Sequence, residues 1–192
     1  MNTPSHAVIN LFFIGREKLP QANLPIFIGA ILPDIPIFVF YGWAKLIARL
    51  PEQQIWSVTY YEPFWQDVVA IFHSIPLVLL GWSIAYRFGW QRVQFLCISM
   101  VVHSLLDLPV HHDDAHRHFF PLSNYRFISP ISYWDTKHYG GIVSLFELSC
   151  TILATFPVFH ILQSSIGKVL LIGNTIIYLL FFYLQARGFL FN

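Results

Sequence analysis

Residues 103–118, HSLLDLPVHHDDAHRH, concentrate side chains that could bind a metal ion or transfer a proton. His103 and Asp107 are four residues apart, so on a helix they project from one face with their Cβ atoms about 6 Å apart. Pro109 predicts the end of that helix or a kink in it, because proline disrupts the preceding turn. Histidine nitrogens mixed with carboxylate oxygens suit Zn²⁺ first, with Mn²⁺ or Fe²⁺ as alternatives.

The four-residue spacing recurs beyond this proline. It separates His112 from His116, and Asp114 from His118. A short helical turn there would present a second pair of imidazoles beside the first group. We therefore predict that His112 is a further metal ligand. The alternative interpretation is a solvated polar loop that is merely rich in histidine.

The composition is typical of a membrane protein. Hydrophobic residues make up 56% of the 192 residues and charged residues only 11%, compared with roughly 25% charged residues in soluble domains. The mean hydropathy is +0.57, and the length predicts a single membrane-embedded domain over residues 1–192. A net charge of +1 without any basic run gives no reason to expect nucleic acid as a partner. The expected partners are the lipid bilayer and a small-molecule or lipid substrate.

Five apolar segments have the length of membrane-spanning helices, which need roughly 20 residues to cross a bilayer. These segments are residues 24–44, 68–88, 92–112, 141–163 and 166–186. A shorter apolar segment at residues 4–16 predicts an additional N-terminal helix, and residues 113–140 predict a long histidine-rich loop. The predicted fold is therefore an all-α polytopic bundle of about five transmembrane helices.

An aspartate lies in the middle of the first apolar segment, where Pro33 and Pro36 flank Asp34. Each proline removes a helical hydrogen bond, which predicts local unwinding around this carboxylate. Placing an aspartate at mid-span costs roughly 2.5 to 3.5 kcal/mol on insertion scales, and such residues usually mark function. We interpret Asp34 as functional, although it could also cap the second half of the helix.

The alternating directions of successive spans bring several acids and bases to one side of the membrane. The residues placed in that shared leaflet are Asp34, His73, His103, Asp107 and Glu147. Ionisable groups within a membrane usually face a bundle interior or an aqueous cavity, so we predict one common site. Asp113, His116 and Glu147 lie close enough to this site in the predicted topology to act as general base or further ligand.

Four short motifs follow one another through the first half of the chain. They are Ser5-His6, Pro33-Asp34, His73-Ser74 and the spaced pair His103 and Asp107. Their order and hydrophobic setting resemble the LexA-regulated, inner-membrane metal-dependent hydrolases over residues 5–107. The resemblance implies a bacterial inner-membrane protein whose metal ligands are His6, Asp34, His73, His103 and Asp107. The chain departs from the family where SH replaces the common TH, and residues 111–140 have no counterpart in the family pattern.

Two classes of function compete for this sequence. The first is a metal-dependent hydrolase acting on a phosphoester or ester, in which the metal polarises the substrate and acidifies a bound water. The histidine and aspartate set also distantly resembles zinc-dependent phospholipases C and nucleases, which implies phosphoester substrates. The second class is a membrane transporter or sensor that binds metal without catalysis. Haem ligation by His73 and His103 is a third interpretation, but the nearby carboxylates suit hard metal ions better than haem. A purely structural scaffold is the remaining alternative.

Overall fold

The computed structural model describes residues 1–187, and this part of the chain is all-helical, which confirms the predicted fold class. Short 3₁₀ turns and one π-helical turn join the α-helices. The α-helices are α1 (Thr3–Ile14), α2 (Asn23–Ile31), α3 (Ile35–Gly42), α4 (Glu52–Ser57), α5 (Pro63–His73), α6 (Ile75–Arg87), α7 (Gln91–Asp107), α8 (Gly140–Ile161) and α9 (Ser165–Ala186).

Within residues 1–187, three helical segments are long and apolar enough to cross a membrane: Pro20–Ile47, Gly140–Ile161 and Ser165–Leu184. The first comprises α2 and α3 together with the turns around them. Helices α5 and α6 would add a fourth if they form one span, which is bent by 43°. The prediction of membrane-length apolar helices is thus confirmed for three segments, and the predicted number of five is not reached.

The second and third predicted spans differ from expectation for local reasons. Pro76 cannot donate a backbone hydrogen bond to the preceding turn, and the helix breaks at Ser74, which becomes the N-cap of α6. Helix α7 ends at Asp107, two residues before Pro109, as the proline predicted. Its 17 residues are fewer than a typical membrane-spanning helix contains.

Helix α1 is packed among α2, α7 and α8 rather than lying outside the bundle. Its Asn10 amide donates to the carbonyl and hydroxyl oxygens of Ser99 on α7, both at 2.8 Å. The Ser99 hydroxyl in turn donates to the carbonyl oxygen of Ile26 on α2 at 2.6 Å. One helical turn further along, the rings of His6 and His103 stack with centroids 3.6 Å apart. This polar contact therefore sets the register that brings two histidines together.

The segment between α7 and α8 is folded against the bundle by backbone hydrogen bonds. Tyr133 N donates to the carbonyl oxygen of Val110 at 2.9 Å, which closes the segment on itself. Ile75 N, the first N–H of α6, donates to the carbonyl oxygen of His118 at 2.9 Å. The loop thus satisfies a backbone group that the break between α5 and α6 exposes, and it lies directly beside His73.

Candidate metal centre

Two groups of buried histidines and aspartates within the described residues could each hold a metal ion. What we call the inner group consists of Asp34, His73, His103 and Asp107. What we call the outer group consists of Asp107, His111 and His116. Within each group the candidate ligand atoms all lie within 4.8 Å of one another. Asp107 belongs to both groups, so the two are contiguous.

The two histidines of the inner group are oriented by backbone carbonyls. His73 Nδ1 donates to the carbonyl oxygen of Val69 at 2.9 Å, one turn earlier on α5. His103 Nδ1 donates to the carbonyl oxygen of Ala30 on α2 at 2.7 Å. Because a carbonyl can only accept, each Nδ1 carries a proton, and in the neutral ring Nε2 presents a lone pair to the site.

Carboxylate oxygens face these Nε2 atoms. His103 Nε2 lies 3.0 Å from Asp107 Oδ2 and 3.5 Å from Asp34 Oδ1. His73 Nε2 lies 3.8 Å and 3.7 Å from the same two oxygens. Within the described part of the chain, neither nitrogen makes a hydrogen bond of good geometry, and neither does Asp107 Oδ2. A cation between these atoms would stabilise them in a buried site, and the residues present fit a divalent metal.

Asp34 reaches the inner group because the helix is interrupted where it lies. Residues Leu32–Asp34 form a 3₁₀ turn between α2 and α3, which agrees with the local unwinding that the flanking prolines predict. The hydroxyl of Thr3 donates to Asp34 Oδ2 at 2.5 Å, which leaves Oδ1 facing the histidines. The side chain is 11% exposed, so a charge here depends on these partners for stabilisation.

The outer group is held by a carboxylate behind one of its histidines. His111 Nδ1 lies 2.9 Å from Asp114 Oδ2, and His111 Nε2 lies 3.2 Å from Asp107 Oδ1. Trp134 Nε1 also donates to Asp114 Oδ2 at 3.2 Å. Burial favours a raised pKa for Asp114, but the hydrogen bond and charge of His111 lower it below its usual value. A carboxylate in this position orients a histidine and makes it a stronger metal ligand.

The other loop histidines near the site are held neutral. His116 stacks on His73 with ring centroids 4.1 Å apart, which joins the outer group to the inner one. Burial, followed by the charge of His73, keeps the pKa of His116 well below its ordinary range. The same two causes lower the pKa of His118 to about 4. Neutral imidazoles are the form that binds metal, so both rings are in a suitable protonation state at neutral pH.

His6 lies at the site but outside both groups. Its Nε2 is 2.9 Å from Asp107 Oδ1, and its ring stacks on that of His103. The ring is fully buried, and its Nδ1 has no hydrogen-bond partner among the described residues. The contact places the predicted ligand His6 on the same carboxylate oxygen that faces His111.

Two predicted site residues of the loop lie away from the candidate ligand atoms. His112 Nδ1 donates to the carbonyl oxygen of Ser129 at 2.5 Å, and its ring stacks on His138 at 3.6 Å. Asp113 is exposed. The four-residue spacing would bring His112 to the site only on a helical turn, whereas the chain after α7 forms irregular turns that direct the neighbouring His111 inward.

Glu147 is buried on α8, and its hydrogen bonds connect helices to one another rather than to the candidate metal ligands. Its Oε1 accepts hydrogen bonds from Asn2 N at 2.9 Å, from Asn2 Nδ2 at 3.0 Å and from the Tyr178 hydroxyl at 2.8 Å. These bonds tie α8 and α9 to the residue that precedes α1. Glu147 thereby supports the helix that carries His6, and it is not a member of either group.

His111 was not predicted as a ligand, although the sequence contains a signal for it. His111 follows Asp107 by four residues, the same spacing that separates His103 from Asp107. A four-residue spacing places two side chains on one face only within a helix, and α7 ends at Asp107, so the spacing alone did not identify His111. The irregular turn that follows nevertheless brings His111 Nε2 back to within 3.2 Å of Asp107.

The fold and the site together define an all-helical protein with membrane-length apolar helices and a buried histidine and aspartate cluster that could bind metal. No protein-family model, curated protein or solved structure matches this chain. The resemblance to the LexA-regulated hydrolases stays a prediction from the four motifs that carry it.

Proposed function

We propose that this chain is a membrane-bound, metal-dependent hydrolase acting on a phosphoester or ester. One observation carries the proposal. The Nε2 atoms of His73 and His103 converge on the carboxylates of Asp34 and Asp107 without forming hydrogen bonds, while their Nδ1 atoms are committed to backbone carbonyls. A divalent cation would satisfy all four of these groups at once, and Zn²⁺, Mn²⁺ or Fe²⁺ fits the mixed donors.

The outer group is the part of the site that suits catalysis. A bound divalent metal supplies a Lewis acid and lowers the pKa of a coordinated water. Catalytic zinc sites commonly use three protein ligands and keep one position open, and the outer group offers three residues. Asp114 orients His111 for this purpose, and His6 holds Asp107 Oδ1 in place through its 2.9 Å contact.

The proposal includes a location in the membrane. We propose that α5 and α6 cross as one broken span and that α7 crosses as a short one, which restores the five predicted spans. The break at Ser74 supports this topology because loop backbone covers it, as non-helical backbone at membrane depth requires. The resemblance of the four motifs favours the bacterial inner membrane, and the bilayer favours a lipid or small-molecule ester as substrate.

One observation favours a second candidate function, a transporter or sensor that binds metal without turnover. The side chains of His73 and His103 are 0% exposed, and that of Asp107 is 1% exposed. Closed sites with four protein ligands typically hold ions that do no chemistry. The inner group alone would suit such a role.

Metal content and turnover measured on the same preparations test the proposal. Detergent-purified wild type should contain metal and hydrolyse members of a phosphoester and ester panel. His103→Ala should lose both properties because it removes a ligand whose orientation is fixed. His160→Ala, which changes an exposed histidine of α8, is the matched control and should keep both. Tight metal binding with no turnover, together with metal flux into proteoliposomes, would overturn the hydrolase in favour of the transporter.

A further inference from the structure

We propose that the inner and outer groups hold two metal ions at the same time and that the carboxylate of Asp107 bridges them. This inference deepens the proposed function and rests on its metal-binding part. It concerns the number of ions and the substrate charge that this number favours. The observation behind it is that the two groups share Asp107 while drawing their remaining donors from different residues.

The two oxygens of Asp107 face different sets of nitrogens. Oδ2 lies 3.0 Å from His103 Nε2 and 3.8 Å from His73 Nε2, both in the inner group. Oδ1 lies 3.2 Å from His111 Nε2 in the outer group and 2.9 Å from His6 Nε2. The N-terminal ammonium of Met1 lies 2.7 Å from Oδ1 and 2.8 Å from His111 Nε2, so a cation already contacts both, and a second metal ion would take its place. A carboxylate that binds a single ion needs nitrogen ligands near only one of its two oxygens. The division of donors between the two oxygens is the arrangement that a bridging carboxylate requires.

Different parts of the chain orient the histidines of the inner group and of the outer group. The inner histidines are oriented by the carbonyl oxygens of Val69 and Ala30 within the helical bundle. The outer His111 is oriented from the loop side by Asp114. Two-metal hydrolytic sites place their ions about 3.5 to 4 Å apart, which is short enough for one carboxylate to bridge.

The charges near the site favour two ions over one when the substrate is anionic. Asp34, Asp107 and Asp114 contribute three negative charges, and the N-terminal ammonium, 2.7 Å from Asp107 Oδ1, contributes one positive charge. One divalent ion would leave a charge of 0 (+2 − 3 + 1), whereas two would leave +2 (+4 − 3 + 1). A buried centre with an excess positive charge attracts an anion, which a neutral centre does not. The two-ion centre therefore favours a phosphoester over an uncharged carboxylic ester.

Manganese titration of metal-stripped protein tests the bridge without relying on activity. Wild type should retain two Mn²⁺ per chain after gel filtration and show the electron paramagnetic resonance spectrum of a spin-coupled pair. The double variant His111→Ala/His116→Ala should retain one ion with an uncoupled spectrum. His111→Gln/His116→Gln, which keeps more of the side-chain volume, should give the same result if the alanine variant is unstable. His160→Ala should behave as wild type.

Different outcomes separate this inference from the hydrolase proposal. One ion in wild type that the outer-group variants leave in place would overturn the two-ion centre and leave a mononuclear hydrolase possible. Two ions without spin coupling would overturn the bridge. Two coupled ions without turnover of any ester would support the bridge and overturn the hydrolase. No bound metal at all would overturn both.

Discussion

His103 Nδ1 donates a hydrogen bond to the carbonyl oxygen of Ala30 at 2.7 Å and thereby fixes a ring of the inner group to the backbone of α2. One turn earlier on both helices, the Ser99 hydroxyl donates to the carbonyl oxygen of Ile26 at 2.6 Å. Matching four-residue steps on α2 and α7 thus produce two parallel contacts. The geometry of the inner group depends on how closely these two helices approach.

Gly29 permits that approach, and we expect Gly29→Ala to disturb both packing and metal binding. A Cβ at this position would overlap the carbonyl oxygen of Leu96 and lie 2.8 Å from Ser99 Cβ. Because α7 backbone cannot move aside like a flexible side chain, the helices must separate, at a cost of about 1 to 3 kcal/mol for overpacking. Thermal unfolding and metal content of the purified variant measure the two effects.

Gly81→Ala provides the matched control on the other side of α7. A Cβ there would meet only the sulfur of Cys97 at 3.6 Å, an ordinary contact. Since alanine has the higher helix propensity, this variant should be as stable as wild type or slightly more stable. Equal stability of the two variants would show that the contact between α2 and α7 has room for a methyl group at Gly29.

Glu147 tests whether a buried acid supports the fold or takes part in chemistry. Glu147→Gln keeps an oxygen that can accept from Asn2 and Tyr178, so we expect metal content and thermal stability close to wild type. Glu147→Ala removes that acceptor, and loss of a hydrogen bond to a charged group costs about 1.5 to 3 kcal/mol. A Gln variant that keeps its metal and stability but loses turnover would instead identify Glu147 as the predicted general base.

The sequence predicted the inner group more completely than the outer one, for a physical reason. Asp34, His73, His103 and Asp107 lie on or beside apolar helices, where the direction of each span limits which side chains can meet. The outer group depends on an irregular turn, and spacing in such a turn does not determine which neighbouring histidine points inward. For this reason His112 was predicted where His111 faces Asp107.

The helix boundaries likewise divide into those that local sequence determines and those that involve contacts between distant residues. The end of α7 at Asp107 agrees with Pro109 and not with the apolar length, which extended to residue 112. The ends of α8 and α9 lie within two residues of those that the apolar lengths predicted. Pro76 breaks the helix between α5 and α6, and the carbonyl oxygen of His118 accepts from the Ile75 N–H that the break exposes, a contact between distant parts of the sequence. Apolar length alone predicted a continuous second span there.

Metal removal should loosen the loop that carries the outer group. His111 and His116 would be tied to α7 through shared ions, and binding to the folded state at 100 times Kd stabilises it by about 2.7 kcal/mol. We expect a chelator to lower the thermal midpoint and to accelerate tryptic cleavage after Arg117 and Arg126. Both arginines are paired in the folded loop, Arg117 with Asp67 and Arg126 with the carbonyl oxygen of Ala115.

Cleavage after Lys18, which is exposed between α1 and α2, is the internal control and should not change with chelation. Restoring the metal should restore protection of the loop. Uniform acceleration at all of these sites would indicate global unfolding, and no acceleration at the two loop arginines would show that the loop is held without metal.

The five-span topology predicts which exposed positions share a side of the membrane. In a background with Cys97 and Cys150 replaced by alanine, single cysteines at Gln53 and Tyr125 should react with an impermeant reagent from one side. A cysteine at Trp90 should react only from the other side. All three positions are exposed, so each should react once the membrane is dissolved in detergent. Reaction of all three from one side would contradict the topology.

Asp114 offers the sharpest test of the outer group because its neighbour provides a matched control. The hydrogen bond between Asp114 Oδ2 and His111 Nδ1 is 2.9 Å long, and loss of such a partner typically weakens metal binding 10- to 100-fold. Asp114→Asn should therefore weaken one of two metal-binding steps in a calorimetric titration and leave the other unchanged. The substitution keeps the side-chain volume, so the thermal midpoint of the metal-free protein should change little.

Asp113→Asn removes the same charge one residue earlier, from an exposed side chain. It should leave both binding steps unchanged, because a solvated carboxylate outside the two groups neither orients a ligand nor binds the ion. Equal weakening by both variants would mean that general electrostatic attraction, rather than orientation of His111, accounts for the effect of Asp114. Loss of turnover in Asp113→Asn with both ions retained would support the predicted role of Asp113 as a general base and would place the substrate at the loop surface.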